Sequence, residues 1–189
     1  LMVHLRMSGQ MLVGSPGTAV SPHLRIRALL DDVELAFVDQ RTFGSWQYVS
    51  LGEDGVPESI GHIAPDPFEA DFDIVERARL VRTRSSAIKT VLLNQAIVSG
   101  IGSIYADEAL WAAGVKPTRR ARSLRQSDAV RVLEHSRDVM AKALKQGGTS
   151  FDSLYVNVNG ASGYFSRSLN AYGRAGQRCR RCGTEMRKV

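Results

Sequence analysis

The chain has 189 residues, of which 43% are hydrophobic, enough for one large or two small folded domains. No apolar run approaches the ~18 residues that a membrane helix needs, and no basic leader precedes the apolar residues at the start. We therefore expect neither a membrane span nor a signal peptide. The only cysteines are Cys179 and Cys182. Two cysteines so close together are unlike the disulfide framework of a secreted protein, so we expect a cytoplasmic protein.

The net charge of +6 is unevenly distributed. Residues 1–115 hold 9 Lys and Arg against 14 Asp and Glu, a balance of −5, whereas residues 116–189 hold 16 against 5, a balance of +11. A strongly basic second part favours a nucleic-acid-binding face. The alternative is a solvated basic surface that serves solubility.

The first fifty residues read as strands over 1–7, 23–30, 33–39 and 45–51, with Asp31-Asp32 marking a hairpin turn. Glycines and prolines make 52–70 a loop or linker. Helical periodicity follows over 72–83, 86–98, 103–114 and 127–148, where Ser127-Asp128 predicts a helix start and Gly147-Gly148 a stop.

Strands followed by helices predict an α+β fold. We divide the chain into four parts: a β domain over 1–68, a helical domain over 69–150, a loop region over 151–175, and a cysteine turn over 176–189. Because the chain begins with Leu1 in the middle of an apparent strand, we expect further residues upstream.

Cys179-Arg180-Arg181-Cys182, followed by Gly183, has the hairpin form of half a zinc site. Zinc takes four thiolate or imidazole ligands, and this motif supplies two. The alternatives are a thiol pair without metal and a redox pair. The arginines around the cysteines favour a finger that faces DNA.

Gly100 and Gly102 form a tight turn between two helical runs, where bare amides at a helix start suit a phosphate. The alternative is an ordinary glycine helix cap. Residues 147–150 and 159–165 read as a glycine-hinged loop that closes over a flipped base, or as a surface loop pinned by its two aromatic residues.

Met7, Arg41 and Phe43 lie in two strand-end turns, HLRMSG and DQRTFG. Enzymes that flip bases fill the vacated stack with apolar wedges and an arginine. From spacing alone, however, Met7 and Phe43 read as core residues and Arg41 as a solvated cation.

Two further charged positions carry open alternatives. Lys89 reads either as a phosphate or lesion contact or as a solvent-facing helix lysine. Asp107-Glu108 indicates either acid–base chemistry or a helix-terminal pair that binds an arginine.

Six motifs together resemble the formamidopyrimidine-DNA glycosylases and their endonuclease VIII relatives, in order and approximate spacing. They are HLRMSG, DQRTFG, NQAIVSGIGSIYADEALW, GGTSF, GYFSRSLNAYGR and CRRCG. The resemblance implies a β-sandwich, a helix–two-turn–helix domain and a zinc finger that binds one Zn²⁺. It implies a monomeric bacterial repair enzyme at the nucleoid. This enzyme would act on double-stranded DNA with oxidised purines or abasic sites, as a bifunctional glycosylase and AP lyase.

The resemblance also assigns roles to residues. Met7, Arg41 and Phe43 resemble the triad that fills the gap left by the extruded base. Lys89 resembles a lysine at the lesion-side wall of the DNA-binding cleft. The remaining implied DNA contacts are His23, Gly100, Gly102, Ser103, Tyr105 and Tyr172, and the implied zinc ligands are Cys179 and Cys182.

Several family features are not found in this sequence. The family's nucleophile is an N-terminal proline followed by a catalytic glutamate, and this sequence begins with neither. The sequence also lacks the family's β-elimination lysine, the arginine of its zinc finger and the last two cysteines of that finger. Ser103 stands where the family usually has an asparagine. Two interpretations remain: a glycosylase whose two ends lie outside this sequence, and a truncated or divergent homologue that only binds DNA.

Overall fold

The computed structural model describes residues 1–148 and 163–188. It divides into two compact units, one of Leu1–Ile60 with Ala143–Arg167 and one of Gly61–Lys142 with Ser168–Val189. Strands lie in the first unit and three complete helices in the second, so the predicted α+β class is confirmed. No helix of the described residues is long and apolar enough to cross a membrane.

The first unit holds two small antiparallel sheets. β1 (Met2–His4) pairs with β5 (Ser45–Gln47). β4 (Val33–Asp39) lies between β2 (Gly9–Gly14) and β3 (Leu24–Leu30) in the second sheet. The β3–β4 hairpin turns at Asp31, which adopts a left-handed φ of 48°, so the predicted hairpin is confirmed. β2 was missed by the sequence analysis because its glycines weaken the strand pattern.

The second unit is built on four helices: α1 (Ile74–Arg82), α2 (Ile88–Leu92), α3 (Ser103–Ala113) and most of α4 (Gln126–Lys145). The Asp73 carboxylate caps α1 by accepting from the amides of Val75 and Glu76. α3 ends at Gly114, whose φ of 68° is the left-handed conformation that glycine adopts without strain. The start of α1 and the end of α3 therefore follow from their local sequence.

The observed ends of α4 and α2 can be compared with the helix ends predicted from the sequence. α4 starts within two residues of the predicted Ser127-Asp128 and stops before Gly147 and Gly148, which have φ of 74° and 87°. The helix predicted over 86–98 is shorter, because α2 ends at Leu92. After it, the Asn94 side chain accepts the Ala96 amide and turns the backbone out of the helix.

One hydrophobic core occupies the second unit and joins all four helices. Its largest fully buried side chains include Leu92, Ile97, Ile101, Leu110 and Leu133. Ile97 and Ile101 flank the glycine turn, so burial of their side chains fixes that turn to the helices. The core thereby gives the exposed turn a rigid base.

Candidate nucleic-acid interface

Two loops of the first unit are joined by one buried carboxylate. Asp39, at the end of β4, is fully buried. Its Oδ1 accepts the Ser8 hydroxyl at 2.5 Å and the Arg41 amide at 3.1 Å, and its Oδ2 accepts the Gly44 amide at 2.7 Å. Ser8 belongs to the loop after β1 and the other two to the loop after β4. The carboxylate therefore holds the loop that carries Met7 beside the loop that carries Phe43.

The environment of Asp39 favours its ionised form. Burial by itself raises the pKa of the Asp39 carboxyl, but hydrogen bonds from Ser8 and from three backbone amides outweigh it. The pKa therefore lies below its ordinary value. Asp39 remains a charged acceptor at neutral pH, the state that holds both loops.

The tips of these loops are exposed and strained. Met7 and Phe43 are 60% and 57% exposed, so the core-residue alternative is wrong for both. Arg6 and Thr42, beside them in the sequence, adopt φ of 52° and 55°. A left-handed φ costs a non-glycine residue energy and often marks a functional loop.

His23 lies just before β3 in the same unit and is half-buried. Its carbonyl accepts the Asp39 amide at 2.9 Å. The Arg25 guanidinium in turn donates to the Asp39 carbonyl at 2.8 Å. The backbone of His23 is thus tied to the strand end that carries the Arg41 loop.

The glycine turn of the second unit is held by one side chain. Gln95 accepts the Gly100 amide at 2.9 Å through Oε1 and donates to the Ile101 carbonyl at 3.2 Å through Nε2. Gly100 has φ of 78°, and a Cβ there would approach the Met140 methyl to 3.0 Å. Glycine is therefore favoured at position 100 by its left-handed conformation, and a Cβ there would in addition require the Met140 methyl to shift.

The turn leads into the exposed start of α3. Gly102 is the N-cap residue in an extended conformation, and no side chain caps the helix there. Ser103 is exposed at the first helical position, whereas Tyr105 packs partly against the core. The helix therefore presents its first amides and the Ser103 hydroxyl at an accessible N-terminus, where the helix dipole favours an anion.

Lys89 and Asp107 form an ion pair between α2 and α3. The Lys89 ammonium lies 2.8 Å from Oδ1 and 3.0 Å from Oδ2 of Asp107, and the two side chains are 24% and 19% exposed. Lys89 is thus a fixed cation, not a freely solvated helix lysine. The expected partner of Asp107 was an arginine, and the structure supplies this lysine.

Glu108 has a role that the sequence analysis missed. Its carboxylate is 3% exposed and accepts backbone amides from Asn170, Ala171 and Tyr172 at 2.7–3.0 Å. The signal was a glutamate among the apolar residues of α3, since a buried carboxylate requires hydrogen-bond donors. Glu108 therefore attaches the segment of Tyr172 to the helix of the glycine turn.

The two cysteines lie in a tight hairpin. The Cys179 amide donates to the Thr184 carbonyl at 2.8 Å, and the Gly183 amide donates back to the Cys179 carbonyl at 2.9 Å. The Trp111 indole donates to the Cys179 sulfur at 3.4 Å. This bond, with the amides of Arg181 and Cys182, lowers the pKa of the Cys179 thiol to about 6. Cys179 is therefore largely a thiolate at neutral pH, the form that binds zinc.

Arg181 attaches this hairpin to α3. Its guanidinium lies 4.6 Å from the centre of the Trp111 ring. It donates to the carbonyls of Trp111 and Ala112, the first at short range. A cation is favoured at a helix C-terminus, where the last carbonyls lack partners.

One cavity of about 760 Å³ in the second unit brings several of these residues together. Among the sequence-predicted residues, it is lined by Lys89, Ser103 and Tyr172. Its other basic side chains are Lys116, Arg181, Arg187 and Lys188. Asp107 is the acidic side chain among them. Such a concave surface is complementary to phosphate groups.

Known proteins match along most of the chain. The family model of the formamidopyrimidine-DNA glycosylase N-terminal domain matches residues 1–46, and that of the formamidopyrimidine-DNA glycosylase H2TH domain matches 63–154. The Corynebacterium urealyticum formamidopyrimidine-DNA glycosylase is 58% identical over 201 residues, which cover 100% of this chain and 70% of that protein. The chain belongs to the formamidopyrimidine-DNA glycosylase family.

Other relatives agree with this membership. The formamidopyrimidine-DNA glycosylases of Corynebacterium jeikeium and Mycobacterium sp. (strain JLS) are each 55% identical across 100% of this chain, which covers 70% and 64% of their lengths. The family consists of base-excision DNA repair enzymes. The chain thus spans about two thirds of the length of these glycosylases.

Solved structures share the fold. MutM in complex with DNA containing carbocyclic 8-oxo-G has a TM-score of 0.83 and 32% identity, covering 99% of this chain and 68% of that one. The Lactococcus lactis Fpg complex with abasic-site DNA has a TM-score of 0.80 and 29% identity, with the same coverage. The fold of this chain is therefore that of family members seen with damaged DNA.

The structure separates the residues that the family resemblance implies into two groups. Met7, His23, Arg41 and Phe43 belong to the first unit, whereas the glycine turn, Lys89, Ser103, Tyr105, Tyr172 and the cysteines belong to the second. The predicted base-closing loop lies for the most part outside the described residues, since 149–162 are not among them. At its end, Phe165 is buried and Tyr164 is exposed.

Two candidate ligands for the expected zinc ion lie among the described residues. Cys179 and Cys182 stand on one hairpin, and no group of three or more His, Cys, Asp or Glu side chains suited to a metal ion occurs among residues 1–148 and 163–188. The lowered pKa of Cys179 and the tight Cys-x-x-Cys turn fit one half of a tetrahedral site. The described residues thus offer two thiols on one hairpin, whereas a structural zinc site takes four ligands.

Proposed function

We propose that this chain is the DNA-binding part of a bifunctional glycosylase and AP lyase that removes oxidised purines from double-stranded DNA. The observation that carries this proposal is the basic cavity of the second unit, where Lys89, Ser103 and Tyr172 meet. Two of the solved relatives are bound to DNA that contains a carbocyclic 8-oxo-G or an abasic site, which supports the same class of partner.

DNA binding rests on phosphate contacts in the second unit. The Lys89 ammonium supplies a point charge, while the Ser103 hydroxyl and the first amides of α3 supply neutral donors. Tyr172 adds a phenolic donor from the segment held by Glu108. Gly100 and Gly102 shape the turn so that a phosphate can approach the amides, and Tyr105 packs the start of α3 onto the core.

Recognition of the damaged position rests on the two loops held by Asp39. Met7 and Phe43 would enter the stack that an extruded base leaves, and Arg41 would contact the orphaned base. His23 would add a backbone contact to DNA from the same strand end. The exposure of Met7 and Phe43, and the strain beside them, support this role.

The excision step needs an amine nucleophile, which in the family is an N-terminal proline that forms a Schiff base with the sugar. The alternative function is a homologue that binds DNA without excising bases. Ser103 favours the alternative, since a serine reaches a phosphate less well than the family's asparagine.

Zinc would be held by Cys179 and Cys182 as half of a structural site, which would rigidify the hairpin that carries Arg181. We propose that the protein acts as a monomer in the bacterial cytoplasm, at the nucleoid. Zinc content is checked by metal analysis of the purified chain, with a Cys179→Ser, Cys182→Ser variant as the control.

Borohydride trapping on a duplex with an 8-oxoguanine:cytosine pair separates the two functions. A covalent adduct on a denaturing gel supports excision by an amine of this chain. Lesion binding without an adduct supports the binding-only alternative. Equal affinity for damaged and undamaged duplexes contradicts lesion recognition in either form.

A further inference from the structure

Glu108 is a buried carboxylate whose partners lie more than sixty residues away. Oε1 accepts the amides of Asn170, Ala171 and Tyr172 at 2.9, 2.7 and 3.0 Å, and Oε2 accepts the Asn170 amide at 2.9 Å. The Asn170 side-chain amide adds a weaker contact to Oε2 at 3.4 Å. Three consecutive backbone amides thus converge on one side chain.

This arrangement is a backbone nest around an anion that belongs to the protein itself. Glu108 forms no ion pair with any described residue. The amides are therefore the groups that replace the water lost by the buried charge. Because hydrogen bonds to a charged acceptor are short and directional, the backbone of 170–172 is held closely to α3.

The backbone segment that Glu108 holds includes a residue that lines the cavity. Tyr172 and Ser103 both line the cavity of about 760 Å³, and Ser103 begins the helix on which Glu108 stands. Gly173, with φ of 73°, turns the backbone directly after Tyr172. Glu108 therefore fixes the backbone of Tyr172 relative to α3, the helix that begins at Ser103.

We infer that Glu108 is a positioning residue for DNA binding, which acts through Tyr172 by holding the amides of Asn170–Tyr172 on α3. This inference rests on the proposed function, in which Tyr172 contacts a backbone phosphate. It assigns to Glu108 no contact with DNA. Its effect on affinity should consequently depend on the presence of the Tyr172 hydroxyl.

The test is a double-mutant cycle on the full chain with Glu108→Gln and Tyr172→Phe. Affinity is measured by fluorescence anisotropy with a duplex that carries a tetrahydrofuran abasic-site analogue. Hydrogen exchange reads the amides of 170–172 in each variant. In Glu108→Gln one acceptor becomes a donor that faces the Asn170 amide, so these amides should exchange faster. Glu134→Gln, which removes one negative charge from an exposed position of α4, is the matched control.

We expect Glu108→Gln to raise the Kd by about tenfold, the equivalent of one lost charge-assisted hydrogen bond. In the Tyr172→Phe background the same substitution should change the Kd by less than about twofold. Glu134→Gln should leave exchange at 170–172 unchanged. Should Glu108→Gln fail to fold, Glu108→Asp replaces it, since the shorter side chain keeps the charge but cannot reach all three amides.

Two results overturn the inference while DNA binding stands: an equal loss of affinity in both Tyr172 backgrounds, and fast exchange at 170–172 with an unchanged Kd. A Tyr172→Phe substitution that does not weaken binding also overturns it, because no contact would then be left to position. Failure of the unsubstituted chain to bind the duplex at all is a different result. It removes the proposed function, and the inference with it.

Discussion

Asp107→Asn should tighten DNA binding, because it removes the acidic side chain from the basic cavity. The Lys89 ammonium lies 2.8 Å from the Asp107 carboxylate. A phosphate that binds the same ammonium would lie roughly 5 Å from that carboxylate. Their repulsion is about 0.8 kcal/mol at the dielectric constant of water and about 3 kcal/mol at an effective value of 20.

The partial burial of the pair places the effect between these two figures. The Lys89 and Asp107 side chains are 24% and 19% exposed, so solvent screens both partly. A gain of about 1 kcal/mol corresponds to a Kd lowered by about fivefold. The thermal stability should change little, since ion pairs that solvent partly screens contribute only about 0–1 kcal/mol.

The assay is fluorescence anisotropy with an abasic-analogue duplex at fixed salt, with Glu134→Gln as the control for net charge. Glu134→Gln removes the same charge from an exposed position of α4 outside the cavity lining, so its effect should be smaller. An Asp107→Asn variant that binds no more tightly than Glu134→Gln, or more weakly than the unsubstituted chain, would refute this reasoning. Asp107 would then act chiefly by orienting Lys89.

Three other predictions concern separate parts of the chain. Phe43→Ala should weaken binding to the abasic-analogue duplex by about tenfold with little change in Tm, because Phe43 is 57% exposed in the free protein. Equal losses of affinity and of stability would contradict the role of Phe43 as a wedge. Gly100→Ala should lower the free energy of unfolding in urea by about 1–2 kcal/mol, because the φ of Gly100 is 78°. Gly102→Ala should cost less, since nothing lies within 4 Å of a Cβ there. Equal costs would contradict a strained turn at Gly100. In metal-free protein, the rate of Cys179 alkylation should rise with pH with a midpoint of about 6, as the thiolate forms. Trp111→Phe should move that midpoint upward. A midpoint near the ordinary pKa of 9.0 in the unsubstituted chain would show that the hydrogen bonds do not stabilise the thiolate.

Local sequence signals predicted the parts of the fold that depend on local chemistry. Asp31-Asp32 marked the β3–β4 hairpin, and Gly147-Gly148 marked the end of α4, because both pairs adopt conformations set within a few residues. The end of α2 at Leu92 was not found. Apolar periodicity continues past it, and only side-chain contacts of the following turn show the break.

The site itself was predictable in its exposed residues and not in the carboxylates that hold them. The family motifs named Met7, Phe43 and Tyr172. Asp39 and Glu108 were not predicted as supports, because their partners come from distant segments and no spacing rule connects them. Such contacts depend on the tertiary fold, and the only sign of them in a single sequence is a charged residue at a position that is expected to be buried.

The dependence of DNA affinity on salt tests the central claim most directly. Binding of the abasic-analogue duplex is measured over a range of salt concentrations, and log affinity is plotted against log salt. Phosphate binding by the basic cavity predicts a straight line whose slope is about −0.9 for each phosphate contacted, and a slope for Lys89→Gln that is shallower by about one such contact. An affinity that does not change with salt would contradict phosphate binding by the basic cavity.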